Sequence, residues 1–275
     1  MVLNIAHRGA RSLAPENTLA AARTALNCGA DMWETDLVIS SDEALVLFHD
    51  DTLVRTTNVK TVHPDRAPWK LVDFSLSELQ KLDCGSWFLK SDPFGQIRAG
   101  RVSKEAQASF RGARIPTLEE GLLFTQAANW RINIELKQLP VELKGFPVVE
   151  RVLAMIDKLQ FDCNHLVVSS FNHAWLKKIQ SLRPDINVQA LIGSSKIKPL
   201  DWGELEFKTY NARHTLLDHR IIGKLAEKGV AVNLWSVNEE KDMQRFIDAG
   251  AAGIFTDFPQ RLARILGRFM VASPT

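Results

Sequence analysis

LNIAHRGARSLAPENTL, residues 3–19, decides between two architectures. Its first residues, LNIAH, read as a short apolar strand. Pro-Glu-Asn-Thr then opens an Ala- and Leu-rich helical run, TLAAARTALNCG, with Asn17 or Thr18 as its cap and Gly29 as its stop. A doubly wound open sheet would carry its glycine-rich phosphate turn, GxGxxG, at this first strand–helix junction. The chain has AHRGAR there instead, a histidine and an arginine with a single glycine. Gly9 is placed to turn the backbone tightly beneath a phosphate.

The same alternation repeats outward from this unit. Strands are expected at residues 31–40, 131–137, 166–170, 187–193, 207–211, 230–237 and 253–257. Helices are expected at 117–129, 147–159, 173–182, 218–229, 239–250 and 259–270. ALVLFH, residues 44–49, extends the second strand or forms a hairpin with it through SSDE. Roughly eight strand–helix units, the one after 187–193 lacking a helical pattern, with right-handed crossovers close into an α/β fold of the (β/α)₈ type, a TIM barrel. Residues 51–115 break the rhythm and read as an insertion after the second strand region. Its one periodic piece is SLSELQKL, capped by Ser75 or Ser77. The expected organisation is one barrel domain over residues 1–275 with this insertion or lid inside it.

Composition narrows the function. The 275 residues carry a net charge of +2 and are 45% hydrophobic, an ordinary balance with no long basic run, so nucleic acid is not an expected partner. No apolar run is long enough for a transmembrane helix, and the N-terminus has no leader pattern. Cys28, Cys84 and Cys163 are few, odd in number and lack CxxC spacing, which suits a reducing compartment. A cytoplasmic location is the expectation. Homo-oligomerisation stays open on the sequence.

Strand parity locates the chemistry. Residues i and i+2 share a face. Glu34 and Asp36 therefore share one face of DMWETDL, and Asn133, Glu135 and Lys137 share one face of RINIELK. Asn233 and Trp235 do so in VNLWSV. Their apolar alternates suit the outer helices, so the polar faces are expected to point into the barrel. Each short motif alone is commonly a rim feature. Together they put three carboxylates near one axis, where they repel unless a cation neutralises them. An all-oxygen ligand set indicates a hard divalent ion, Mg²⁺ or Ca²⁺.

His7 and His49 are expected at the carboxyl ends of neighbouring strands, suited to act as an acid–base pair. Arg8 adds a fork that fits a phosphate, and Lys137 a further positive charge. This is an inventory for phosphoryl chemistry. His63, His165, His173, His214 and His219 read as solvated.

HRG, PENT, ETD, FHDDTLVRTT, LDCGSWF, RIPTLEE, IELK, SSFN, NLWSVN and GIFTDFP occur in this order between residues 5 and 259. In that order they resemble the glycerophosphodiester phosphodiesterases. The resemblance implies a metal-dependent TIM barrel that hydrolyses glycerophosphodiesters to glycerol 3-phosphate and an alcohol; with two histidines to exchange protons, the expected route is through a cyclic phosphate. It implies His7 and His49 as acid and base, Glu34, Asp36 and Glu135 as metal ligands, and Arg8 and Lys137 at the phosphate. Phe171 and Trp235 would border the substrate pocket, and Glu16 and Asn17 would support the site. One departure stands out: residues 89–113 form a longer, basic link than the family pattern suggests. A solvated loop and a lid facing an anionic head group or lipid surface are its two readings. A lysophospholipase D-like activity and a non-catalytic phosphodiester-binding barrel are the alternative functions.

Overall fold

The computed structural model describes residues 1–195 and 197–268. Nine strands are present among the described residues: β1 (Leu3–Ala6), β2 (Met32–Ile39), β3 (Leu45–Leu47), β4 (Ile132–Leu136), β5 (Leu166–Ser170), β6 (Asn187–Ile192), β7 (Thr209–Arg213), β8 (Ala231–Trp235) and β9 (Gly253–Thr256). All but β3 pair in parallel, in the order β1-β2-β4-β5-β6-β7-β8-β9, and β9 pairs back onto β1. Eight parallel strands thus close into a TIM barrel with helices outside, as the alternation required.

β3 is the exception to the count. It pairs antiparallel with β2, Leu37 opposite Leu47 and Ile39 opposite Leu45. This hairpin carries β2 beyond the rim, and β3 then returns the chain to the level of Asp36, whose carbonyl accepts from Phe48 N–H at 3.0 Å. His7 and His49 therefore do not follow neighbouring barrel strands. His49 reaches the rim on the returning arm of a hairpin.

Alternation sorts the barrel residues. Trp33, Leu37, Ile132, Ile134 and Leu136 join the large core beneath the helices, while Ile5, Met32, Val167 and Phe255 plug the interior. Level with Gly253, two residues before Phe255, other inward positions are amides. Asn233 Nδ2 donates to Asn211 Oδ1 at 2.9 Å and to Gln189 Oε1 at 3.1 Å. These bonds satisfy the amides only in part: Asn211 Nδ2 and Asn233 Oδ1 are buried without a partner.

The helix Leu19–Asn27 begins where Thr18 Oγ1 accepts from Ala21 N–H, so Thr18 is the cap. The expected helix at 259–270 is observed as Pro259–Ile265, and residues 269–270 lie outside the described residues. β7 runs two residues later than expected, because Phe207 and Tyr210 pack edge to face and hold the preceding segment in the core.

The stretch after β3 is more ordered than its sequence suggests. Ser75 and Glu78 form a reciprocal cap on Leu76–Leu79, and short helices stand at Val59–Val62, Ser86–Ser91 and Lys104–Phe110. Leu53, Val59, Phe74 and Leu82 build one small core against the hairpin. Phe88, Val102 and Phe110 build another against Ala14 and Ala21. Lys90, Arg98, Arg101, Lys104 and Arg111 all point to solvent, and none lines the cavity at the barrel mouth.

Candidate active site

The strand ends bring the expected residues together. Asp36 and Glu135 are register partners across β2 and β4, and Glu34 lies two residues earlier on the same inward face. Oxygens of Glu34, Asp36 and Glu135 all lie within 4.8 Å of one another. Glu34 is only 2% exposed. Its Oε2 accepts from Arg8 N–H at 2.8 Å, and its Oε1 has no partner. Burial first, then the charges of Asp36 and Glu135, push the Glu34 carboxyl well above its usual range. Burial and Asp36 likewise raise Glu135. Burial would raise Asp36 too, but Arg8, His49, Lys137 and the Asn17 amide together hold it below the ordinary value. A buried, orphaned carboxylate oxygen beside two more carboxylates is a costly arrangement that a hard cation with oxygen ligands would relieve. The triad could therefore hold such an ion.

Each imidazole is tethered by a carboxylate at Nδ1. His7 Nδ1 donates to Asp257 Oδ1 at 2.7 Å, with Ser236 Oγ at 3.3 Å. Asp257 is held by Asn238, whose amide donates to Oδ2 at 2.7 Å. His49 Nδ1 donates to Asp50 Oδ1 at 2.6 Å, and Arg55 Nε donates to Asp50 Oδ2 at 2.6 Å. This pairing fixes the tautomer and leaves each Nε2 for the cavity. Burial lowers the His7 pKa, Arg8 and Arg11 lower it further, and Asp257 only partly opposes them.

Glu16 is the hub beneath these groups. It accepts from Arg8 Nη1 at 2.8 Å and from Arg55 Nη2 at 2.7 Å, and pairs with Arg11 Nη2 at 3.0 Å. Those three guanidiniums overcome its burial and hold its carboxyl well below the usual range. Asn17 spans to β2: its Oδ1 accepts from Thr35 Oγ1 at 2.8 Å, and its Nδ2 donates to Asp36 Oδ2 at 2.9 Å. Arg8 also reaches Asp36 through Nε at 3.2 Å, so its fork is largely committed to carboxylates. Lys137 Nζ lies 3.4 Å from Glu135 and 3.5 Å from Asp36. Gly9 does serve a tight turn, with φ +78°, but its close neighbour is the helix: a Cβ there would sit 2.6 Å from the Ala21 backbone.

A cavity of about 220 Å³ is lined by His7, His49, Glu34, Glu135, Arg8 and Lys137. Phe171 and Trp235 complete its wall, edge to face at 5.8 Å, and Trp235 Nε1 donates to Asn211 O at 3.0 Å. Volume alone would point elsewhere, to a groove of about 750 Å³ beside the closing helix. Two of its arginines are paired, Arg264 with Glu240 and Arg268 with Asp31, and no carboxylate triad or tethered imidazole among the described residues faces it.

Several site residues were not marked by sequence reasoning. Asp257 follows the inward alternation of Gly253 and Phe255, so the parity rule that found Glu34 could have found it. Asp50 directly follows His49. Arg55, Arg11 and Asn238 lie in loops without a period; Arg55 and Asn238 stand inside the quoted motifs FHDDTLVRTT and NLWSVN, which marked the family but gave them no role. Arg213, over the Trp235 ring at 4.8 Å, escaped because its strand was expected to end at residue 211. Four histidines expected in solvent, His63, His165, His173 and His214, are part-buried. His173 pairs with Leu191 O, His214 with Trp235 O, and His63 packs against Phe74. Loop and helix-start positions here tuck under neighbouring strands, which sequence position does not reveal.

A TIM barrel that gathers carboxylates, tethered imidazoles and cations at the carboxyl ends of its strands is built as an enzyme of the barrel class. The glycerophosphoryl diester phosphodiesterase family model matches residues 7–261, and the chain belongs to that family. It is 32% identical over 268 residues to a glycerophosphodiester phosphodiesterase of Caldanaerobacter subterraneus, covering 96% of this chain and 97% of the relative. A Bacillus subtilis glycerophosphodiester phosphodiesterase is 30% identical over 275 residues, covering 96% of this chain and 86% of the relative. Among solved structures, an Oleispira antarctica phosphodiesterase in complex with the product sn-glycerol-3-phosphate superposes with a TM-score of 0.74. It is 26% identical and covers 96% of each chain. No helix among the described residues is long and apolar enough to cross a membrane.

Proposed function

We propose that the chain hydrolyses glycerophosphodiesters to glycerol 3-phosphate and an alcohol, with His7 and His49 moving the protons. The observation that carries this reading is the pair of carboxylate-tethered imidazoles on one cavity shared with Glu34, Glu135, Arg8 and Lys137. The glycerol 3-phosphate bound by the Oleispira relative supports the substrate class. A divalent ion, Mg²⁺ or Ca²⁺, held by Glu34, Asp36 and Glu135 would supply positive charge to the non-bridging phosphate oxygens. Lys137 and Arg8 add charge beside it, and the Phe171–Trp235 wall faces the glycerol.

One histidine takes the proton of the glycerol 2-hydroxyl, and that oxygen forms a bond to phosphorus. The bond from phosphorus to the departing alcohol breaks, and the other histidine protonates that oxygen. Water then opens the resulting cyclic phosphate with the two proton roles exchanged. Burial and the neighbouring Arg8 lower the His7 pKa and so favour the neutral imidazole, the form that accepts a proton.

His7→Ala and His49→Ala are each expected to lower kcat by about 10² or more. Glycerol 3-phosphate release from glycerophosphoethanolamine measures it, and a near-normal rate in either variant sinks the assignment. Chelation is expected to abolish turnover and Mg²⁺ or Ca²⁺ to restore it. Full activity in excess chelator removes the ion from the mechanism.

A further inference from the structure

The hairpin that returns His49 has a second hollow against it, of about 300 Å³. Leu37, Ile39, Leu71, Val72, Leu139 and Val141 supply the apolar part of its wall, with Val38 and Pro140. Lys70 and Glu142 close one edge with an ion pair of 2.6 Å. Val141 is 79% exposed, apolar surface that water covers poorly.

Two further lining residues tie the hollow to the catalytic cavity. Asp50 holds His49, and Lys137 lines both spaces. The aromatic wall bridges the ends of β5 and β8, and the arc from β5 to β8 faces the arc of β9, β1, β2 and β4 across the barrel mouth. A substrate with its glycerol at Phe171 and Trp235 would extend its alcohol toward His49, and from there into the hollow. The volume sits at the lower end of small-ligand cavities, about 300–1,000 Å³, enough for part of a chain.

We propose that this hollow receives an alkyl or acyl chain on the departing alcohol, so that the chain favours glycerophosphodiesters whose alcohol carries an apolar tail. The inference rests on the phosphodiesterase reading above and names its substrate class.

A series of glycerophospho-n-alkanols from ethyl to octyl, assayed as monomers, tests it. kcat/KM is expected to rise about two- to fourfold per methylene until the hollow is filled, then level off. Val141→Asp and Val72→Asp place a charge in the wall without touching the catalytic groups. Both are expected to flatten the series and to leave glycerophosphoethanolamine turnover unchanged. A flat series in the unaltered protein overturns the hollow as a tail site while the phosphodiesterase reading stands. A rise that both variants retain overturns it equally. Loss of turnover on every member, glycerophosphoethanolamine included, overturns both readings.

Discussion

His7 sits among charges of both signs, and burial decides the balance. Desolvation and the neighbouring Arg8 and Arg11 favour the neutral ring, and Asp257 opposes them at 2.7 Å. Because the folded pKa lies below 6.5, the unfolded chain binds more protons between the two values. Stability from this group is complete above pH 6.5 and is lost as pH falls through that window. His7→Gln is expected to remove that part of the pH dependence, read as urea midpoints at pH 5 and pH 8. Asp257→Asn removes the one partner that raises the His7 pKa. It is expected to shift the His7 titration lower still and to cut kcat by about 10². An unmoved titration, followed by NMR, would mean that Asp257 does not orient the ring.

The segment joining β1 to its helix shows how an element aims a side chain. Arg8 holds φ +56°, a conformation that costs a non-glycine residue free energy and is kept only where surroundings enforce it. Asn17 N–H donates to Arg8 O at 3.1 Å and closes that loop. Gly9→Ala is expected to cost about 1–3 kcal/mol, since both φ and the Ala21 backbone oppose a Cβ. Thr18→Ala, which removes only the cap, is expected to cost about 1 kcal/mol and leave KM unchanged. Chemical denaturation and steady-state kinetics on the pair separate aiming from capping. Farther along, Ser86–Ser91 and Lys104–Phe110 are too short to persist alone. Packing Phe88 and Phe110 edge to face against the barrel flank holds them, so Phe88→Ala is expected to cost about 3–5 kcal/mol.

At the scale of the molecule, the barrel assembles a repulsive set of charges. The raised carboxyls of Glu34 and Glu135 favour protonation in the fold, so without an ion stability falls as pH rises above about 4.5 through their folded values. An ion that binds only the folded chain reverses this. At a hundredfold excess over its Kd it adds about 2.7 kcal/mol, which for a chain of this size raises Tm by about 5–10 °C. Differential scanning calorimetry with and without Mg²⁺ or Ca²⁺ at pH 7.5 measures it. Glu34→Gln is expected to show a higher ion-free Tm and little response to the ion. An equal response in both proteins would place the ion elsewhere.

The sequence by itself determined the barrel and the faces of its strands. Alternation with periods of 2 and 3.6 is a local property, so eight strands, their helices, and the inward carboxylates Glu34, Asp36 and Glu135 were legible from spacing. Ordered motifs added the family. Tertiary structure alone decided what lies around those groups. The return of β3, the tethering of His7 by Asp257 across 250 residues, and the clasp of Glu16 by Arg8, Arg11 and Arg55 join loops that share no period. The burial of His173 and His214, the ordering of residues 86–110 and the hollow beside Lys137 belong to the same group. Loop positions are set by which buried surface each residue meets after the barrel closes, and that surface is assembled from segments far apart in the chain.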